Sequence, residues 1–189
     1  MPLHYALTDG LVALVGLLGA IWLWRRGLAL SAAGVALFGL AGAIGVVRIT
    51  SGAIEALAGV HRFASQVGGL AGLWLITADI ARSHGRRLAS PLIIIAAITA
   101  LAVLVPASLP PLFILGLLAG VALLWFGNGT QQRAPLAALG FALMLPNVLF
   151  VRPAPLLTPD LRWHVYHLLV ALWLMLIVRQ LAARGQKRT

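Results

Sequence analysis

The sequence predicts an all-α polytopic membrane protein, a compact bundle of about seven transmembrane helices. Three observations carry that expectation. The 189 residues are 61% hydrophobic and only 10% charged, whereas soluble domains carry roughly a quarter charged residues. The apolar residues gather in seven runs, most of them close to the roughly 20 residues a helix needs to cross the hydrocarbon. The 14 Lys and Arg residues stand in ones to threes between those runs, which is how a membrane protein marks its loops.

In chain order the runs are residues 5–24, 28–47, 63–81, 88–105, 111–126, 135–151 and 159–178, followed by a basic tail, 179–189. The first is read as a retained helix. A cleaved signal carries its basic residues before the apolar region, and here Arg25 and Arg26 follow it. In the second run Gly34, Gly39, Gly42 and Gly45 are small enough for helices to approach closely. Residues 48–62 are too short to span and mix Arg48, Glu55 and His61 with Ile54, Leu57 and Val60. They are expected to form an outer loop with a short amphipathic or re-entrant helix, either a lid on the bundle or a segment lying flat in the interface. Pro146 in the sixth run predicts a kink. Thr158 and Pro159 read as N-cap and first position of the seventh helix. Short connections make sequential helices antiparallel neighbours in one domain, 1–178. Closing seven helices into a ring makes the first and last neighbours too.

Basic residues give the orientation. With the N-terminus outside, Arg25, Arg26, Arg82, Arg86, Arg87, Arg133, Arg179, Arg184, Lys187 and Arg188 lie inside, and Arg48, Arg62, Arg152 and Arg162 lie outside. The excess inside favours a periplasmic N-terminus and a cytoplasmic C-terminus in a bacterial inner membrane. The same distribution makes the bilayer, and not nucleic acid, the partner that the net charge of +10 addresses. The absence of cysteine excludes a disulfide framework, a thiolate zinc site and a cysteine nucleophile.

Helical rise, about 1.5 Å per residue, sets depth. Measured from the inner basic residues, Asp9, Ser65, Gln66, Asn147, His164 and His167 all fall roughly 18–25 Å up, in the outer leaflet of a hydrocarbon core about 30 Å thick. Ionisable groups at such depth face a partner, water or the bundle interior. The layer is therefore expected to form a ligand pocket under an outer lid of Arg48, Glu55 and His61. Within it Asp9 should meet His164, with His167 one turn deeper on the same face. Asp79 and Arg82 are expected to pair locally.

Three functions fit. The first is binding or transport of a small molecule, lipid headgroup or proton. The second is a membrane-embedded, metal-dependent hydrolase of a lipid amide or ester, with His164, His167 and His61 as tentative ligands of Zn2+ and an open position for water. The third is a haem- or quinone-binding redox subunit, with His61 as the second axial ligand. The paired histidines of the last span, with single Ser, His and Asp residues earlier in an N-out chain of seven spans, resemble the superfamily of alkaline ceramidases and adiponectin-type receptors. That resemblance implies zinc held by histidines, a lipid-amide substrate, and carry-over of the ligand role to His164 and His167. Thr8-Asp9 with Trp24-Arg25, and Tyr166-His167-Leu168 near the end, are similar to small seven-span bacterial membrane proteins, a likeness that implies no activity.

Overall fold

The computed structural model describes residues 2–83, 90–126 and 135–185. Among them all regular structure is helical, in seven helices: α1 (Tyr5–Arg25), α2 (Ala29–Thr50), α3 (Ala58–Ser83), α4 (Pro91–Leu104), α5 (Pro106–Phe126), α6 (Pro135–Val151) and α7 (Pro159–Gly185). Five of them, α1, α2, α3, α5 and α7, are long and apolar enough to cross a membrane; α4 and α6 are shorter apolar helices. Arg86, Arg87, Arg133 and residues 186–189, expected on the inner side, lie outside the described residues.

Glycine and proline set the boundaries. Gly27 has φ +71°, the left-handed conformation that glycine adopts without a Cβ penalty. Around it Leu28 N–H donates to the Leu23 carbonyl and Gly27 N–H to the Trp24 carbonyl, which closes α1 with a Schellman motif. Gly52, at φ +73°, ends α2 in the same conformation. Prolines open α4, α5, α6 and α7, in the first turn, where no helical N–H is required. Thr158 Oγ1 accepts the Leu161 N–H at 3.3 Å and caps α7.

Two expectations change here. Residues 48–62 do not form a separate short helix. Arg48, Ile49 and Thr50 finish α2, residues 51–57 make turns, and Ala58 onwards begin α3. The polar pair His61-Arg62 interrupts the apolar run in the sequence, but on a helix the two point apart: Arg62 is exposed and His61 is half-buried. Likewise α5 begins at Pro106, because Pro110 and Pro111 sit in the first turn of its α-helical part and break nothing.

The second change concerns the ring. Successive contacts run α1–α2–α3–α5–α6–α7 and back to α1. Six helices close the ring, and α4 packs outside it, mainly against α3. Only Ile95 and Ala102 of α4 are buried, so it offers too little inward surface to enter the ring. The outward residues of α1, including Leu7, Leu14 and Leu18, are exposed, an apolar surface suited to lipid and not to water. Between α1 and α2 the backbones nearly touch. A Cβ built at Gly16 would stand 2.5 Å from Gly39 Cα. Helix association in lipid depends on such close approach. In the centre Trp173 of α7 is 1% exposed and packs edge-on against Phe38 of α2 and Phe141 of α6, at centroid distances of 4.9 and 5.6 Å.

Candidate functional site

Helices α1 and α7 lie parallel, and polar contacts stitch them at a nearly constant offset in sequence. The Tyr5 hydroxyl donates to Asp160, Thr8 Oγ1 meets His164 Nδ1 at 3.2 Å, Asp9 Oδ1 meets His167 Nε2 at 3.1 Å, and Arg26 donates to the Ala182 carbonyl at 2.7 Å. Asp9 thus pairs with His167, not with His164 as the depth argument expected. Depth counted from the inner basic residues aligns Arg25 with Arg179. The bond from Arg26 to Ala182 shows that α7 sits about two residues further along than that alignment, so His167 rises to the level of Asp9 while His164 rises to Thr8.

The hydrogen bonding of His167 sets its tautomer. His167 Nδ1 lies 2.8 Å from the Trp163 carbonyl oxygen, which can only accept, so Nδ1 carries hydrogen. The Nε2 of the neutral ring is then an acceptor. Its approach to a carboxyl oxygen at 3.1 Å suits one proton held by the pair, either on Asp9 facing a neutral imidazole or on His167 facing a carboxylate. In both forms the pair is neutral overall, as burial in a membrane demands. The approach is off the line of an aligned hydrogen bond, and both Asp9 oxygens remain short of a full partner. On the other side of the carboxyl stands Gly45, where a Cβ would overlap Asp9 Oδ2 and come within 3.1 Å of His61 Nε2. Gly45 therefore lets α2 admit both polar groups.

Two cavities meet here. A cleft of about 680 Å³ is lined by the first residues of α1, α3, α5 and α7 and the end of α6, among them Tyr5, His61, Ser65, Phe113, Arg152 and Trp163. Beneath it a chamber of about 50 Å³ reaches Asp9 between Phe38, Gly42 and Val170. His61, Ser65, Phe113, Tyr166 and His167 line both. A water needs roughly 10–15 Å³ of such volume, so the chamber is large enough to hydrate the carboxyl.

The residues expected in the pocket divide. Asp9, Ser65 and His167 border the chamber, and Gln66 borders the cleft alone. Ser65 and Gln66 occupy a π-helical turn, Ala64–Gly68, a feature frequent at functional sites. His164 faces Thr8 and packs against the rings of His4 and Tyr5. Asn147 is fully buried in a second π turn, after Pro146, and donates to the Tyr166 carbonyl at 3.1 Å; it lines neither cavity. Of the expected lid, His61 enters the site. Arg48 Nε donates to the Ile54 carbonyl at 2.7 Å. Glu55 is exposed and lines neither cavity. Among the described residues Asp79 forms no ion pair with Arg82; it accepts from the Ser31 hydroxyl at 2.7 Å and its N–H at 3.2 Å, capping the start of α2.

The donor set does not fit a zinc ion. Among the described residues no group of three or more His, Cys, Asp or Glu side chains is placed to hold a metal. His164 is directed to Thr8, and His167 spends Nδ1 on a backbone carbonyl and Nε2 on Asp9. No family model, curated protein or solved structure matches the chain.

Sequence reasoning missed Tyr5, Phe113, Arg152, Arg162, Trp163 and Tyr166 as lining residues. A signal for part of this was present. Tyr5, Thr8 and Asp9 repeat at helical spacing on α1, as do Asp160, His164 and His167 on α7, so two matching polar stripes mark the seam.

Proposed function

We propose that this is a seven-span membrane protein, N-terminus outside, that binds a small amphipathic ligand in the outer-leaflet cleft, with the Asp9–His167 pair at its foot. The carrying observation is the continuity of the cleft with the chamber that reaches Asp9. A cleft of hundreds of cubic ångströms with apolar walls and a few convergent polar groups is the usual form of a small-molecule site. A carboxyl–imidazole pair that shares one proton can exchange hydrogen bonds with a ligand without changing the net charge of the bilayer interior. The parallel course of α1 and α7 is what an odd number of crossings produces, and the basic-residue distribution supports N-out.

Native mass spectrometry of protein extracted in mild detergent tests the binding role. A ligand retained stoichiometrically by the wild type should be lost from Ser65→Trp, whose indole fills space shared by cleft and chamber. Equal retention by both proteins would overturn the assignment. For orientation, a reporter fused after Thr189 should be active only in the cytoplasm. The chain has no cysteine, so Ser65→Cys supplies a single thiol that a membrane-impermeant reagent should label from outside.

A further inference from the structure

We infer that the ligand is an anionic amphiphile, its phosphate or carboxylate held by Arg152 and Arg162 and its apolar part lying along Leu109, Pro110, Phe113 and Val148. The inference rests on the binding role proposed above and adds the ligand's chemical class. The first support is charge. Arg152, Arg162, His61 and His167 line the cleft, and no carboxylate does. Asp160, beside the lining residue Pro159, is taken by the Tyr5 hydroxyl, and Asp9 is 0% exposed behind His167.

The second support is unspent hydrogen-bonding capacity. A guanidinium carries five N–H donors. Among the described residues no side-chain bond is made by Arg152, and Arg162 makes one long contact, 3.5 Å, to the Ala154 carbonyl. Planar guanidinium groups with free donors match phosphate and carboxylate oxygens. The third support is shape. Leu109, Pro110, Phe113 and Val148 line the same cleft as the arginines, which suits a ligand with a hydrocarbon portion better than a free inorganic anion. Arginines that merely reached into bulk headgroups would need no cavity, and the preference for an anionic lipid that their charge gives would survive Ser65→Trp.

The test uses the full chain in detergent, delipidated and titrated with phosphatidylglycerol or phosphatidylcholine, with bound lipid read by native mass spectrometry. Phosphatidylglycerol should be retained at least about tenfold better, the ratio that ~1.4 kcal/mol confers. Arg152→Gln/Arg162→Gln should bring the two lipids to parity, and Arg152→Lys/Arg162→Lys should restore part of the preference. Arg152 is exposed, so Arg152→Gln alone supplies a folded variant should the double substitution fail, and it should lower the preference by at least about threefold, half of that free energy. Inorganic phosphate in excess should not displace the lipid; displacement, with phosphate binding by itself, would support the anion site and identify a soluble anion as its source. Equal retention of both lipids by the wild type, or a preference that survives loss of the arginines, would overturn the inference. If Ser65→Trp abolishes retention while the two lipids bind alike, the cleft stands and only the charge assignment falls. If Ser65→Trp retains lipid, the binding role itself falls.

Discussion

Around Trp173 the ring of helices is dry. Phe38, Phe141 and Leu174 surround the indole. Around Asp9, about two turns nearer the N-termini of α1 and α7, the same ring opens into a cleft and a polar chamber. Both π turns, Ala64–Gly68 and Asn147–Val151, fall on this wet side, as do Pro106, Pro110, Pro146 and Pro159. The comparison teaches how one set of helices can be rigid and open at once. Aromatic packing fixes the helices at the dry level. Prolines and π turns then leave the wet ends free of the regular ridges that would fill the space between them.

The largest effect should come from breaking the dry level. Trp173→Ala removes the largest of the fully buried side chains, and truncations of this kind cost about 3–5 kcal/mol. Unfolding in mixed micelles of increasing sodium dodecyl sulfate should show a loss of that size. A loss below about 1 kcal/mol would mean that the level collapses around the gap and that Trp173 is no keystone. Next in size is Gly16→Val. Its Cβ would meet the Gly39 backbone, which cannot rotate away as a side chain can, and overpacking of this sort costs about 1–3 kcal/mol. The same unfolding assay measures it, and an unchanged midpoint would show that α1 and α2 have slack.

The helices and their close-packing glycines were largely legible in the sequence, and the polar level only in part. Apolar runs, glycines and turn residues act locally, so the helices and their small-residue seams could be read directly. Depth could be read to within about two residues, since it follows from helical rise. That precision separates layers but not neighbours on one helix, and so His164 stood where His167 belongs. Which face of a helix turns inward depends on all its neighbours together. Asn147 and Ser65 share a layer, yet one bonds the Tyr166 carbonyl while the other borders the chamber. Helix α4 is as apolar as the rest, and nothing in its composition says that it stays outside the ring.

A double-mutant cycle sharpens the wet side. Asp9→Asn and His167→Gln, singly and together, should reveal a coupling of about 1–2 kcal/mol, the scale of a buried polar pair in contact. His164→Gln combined with Asp9→Asn should add without coupling, because His164 bonds Thr8. Coupling of Asp9 to His164 in place of His167 would reverse the assignment of the pair.

The smallest effect separates layer membership from site membership. Asn147 is buried at the wet level, yet it faces α7 and not the cavities. Its Oδ1 has no partner among the described residues, and its Nδ2 makes one good bond, to the Tyr166 carbonyl, with a weaker contact to Met144 sulfur at 3.6 Å. Interhelical hydrogen bonds in membrane proteins average about 0.6 kcal/mol. Asn147→Leu removes donor and orphan acceptor together, and replacing a polar group in that way is close to neutral. The π turn should persist, because Pro146 still lacks the N–H that a regular α-turn would use. Asn147→Leu should therefore shift unfolding by less than about 1 kcal/mol and, combined with Ser65→Cys, leave outside labelling at the rate of Ser65→Cys alone. A marked drop in that labelling, with stability intact, would put Asn147 in the cleft's working surface and extend the wet level across α6.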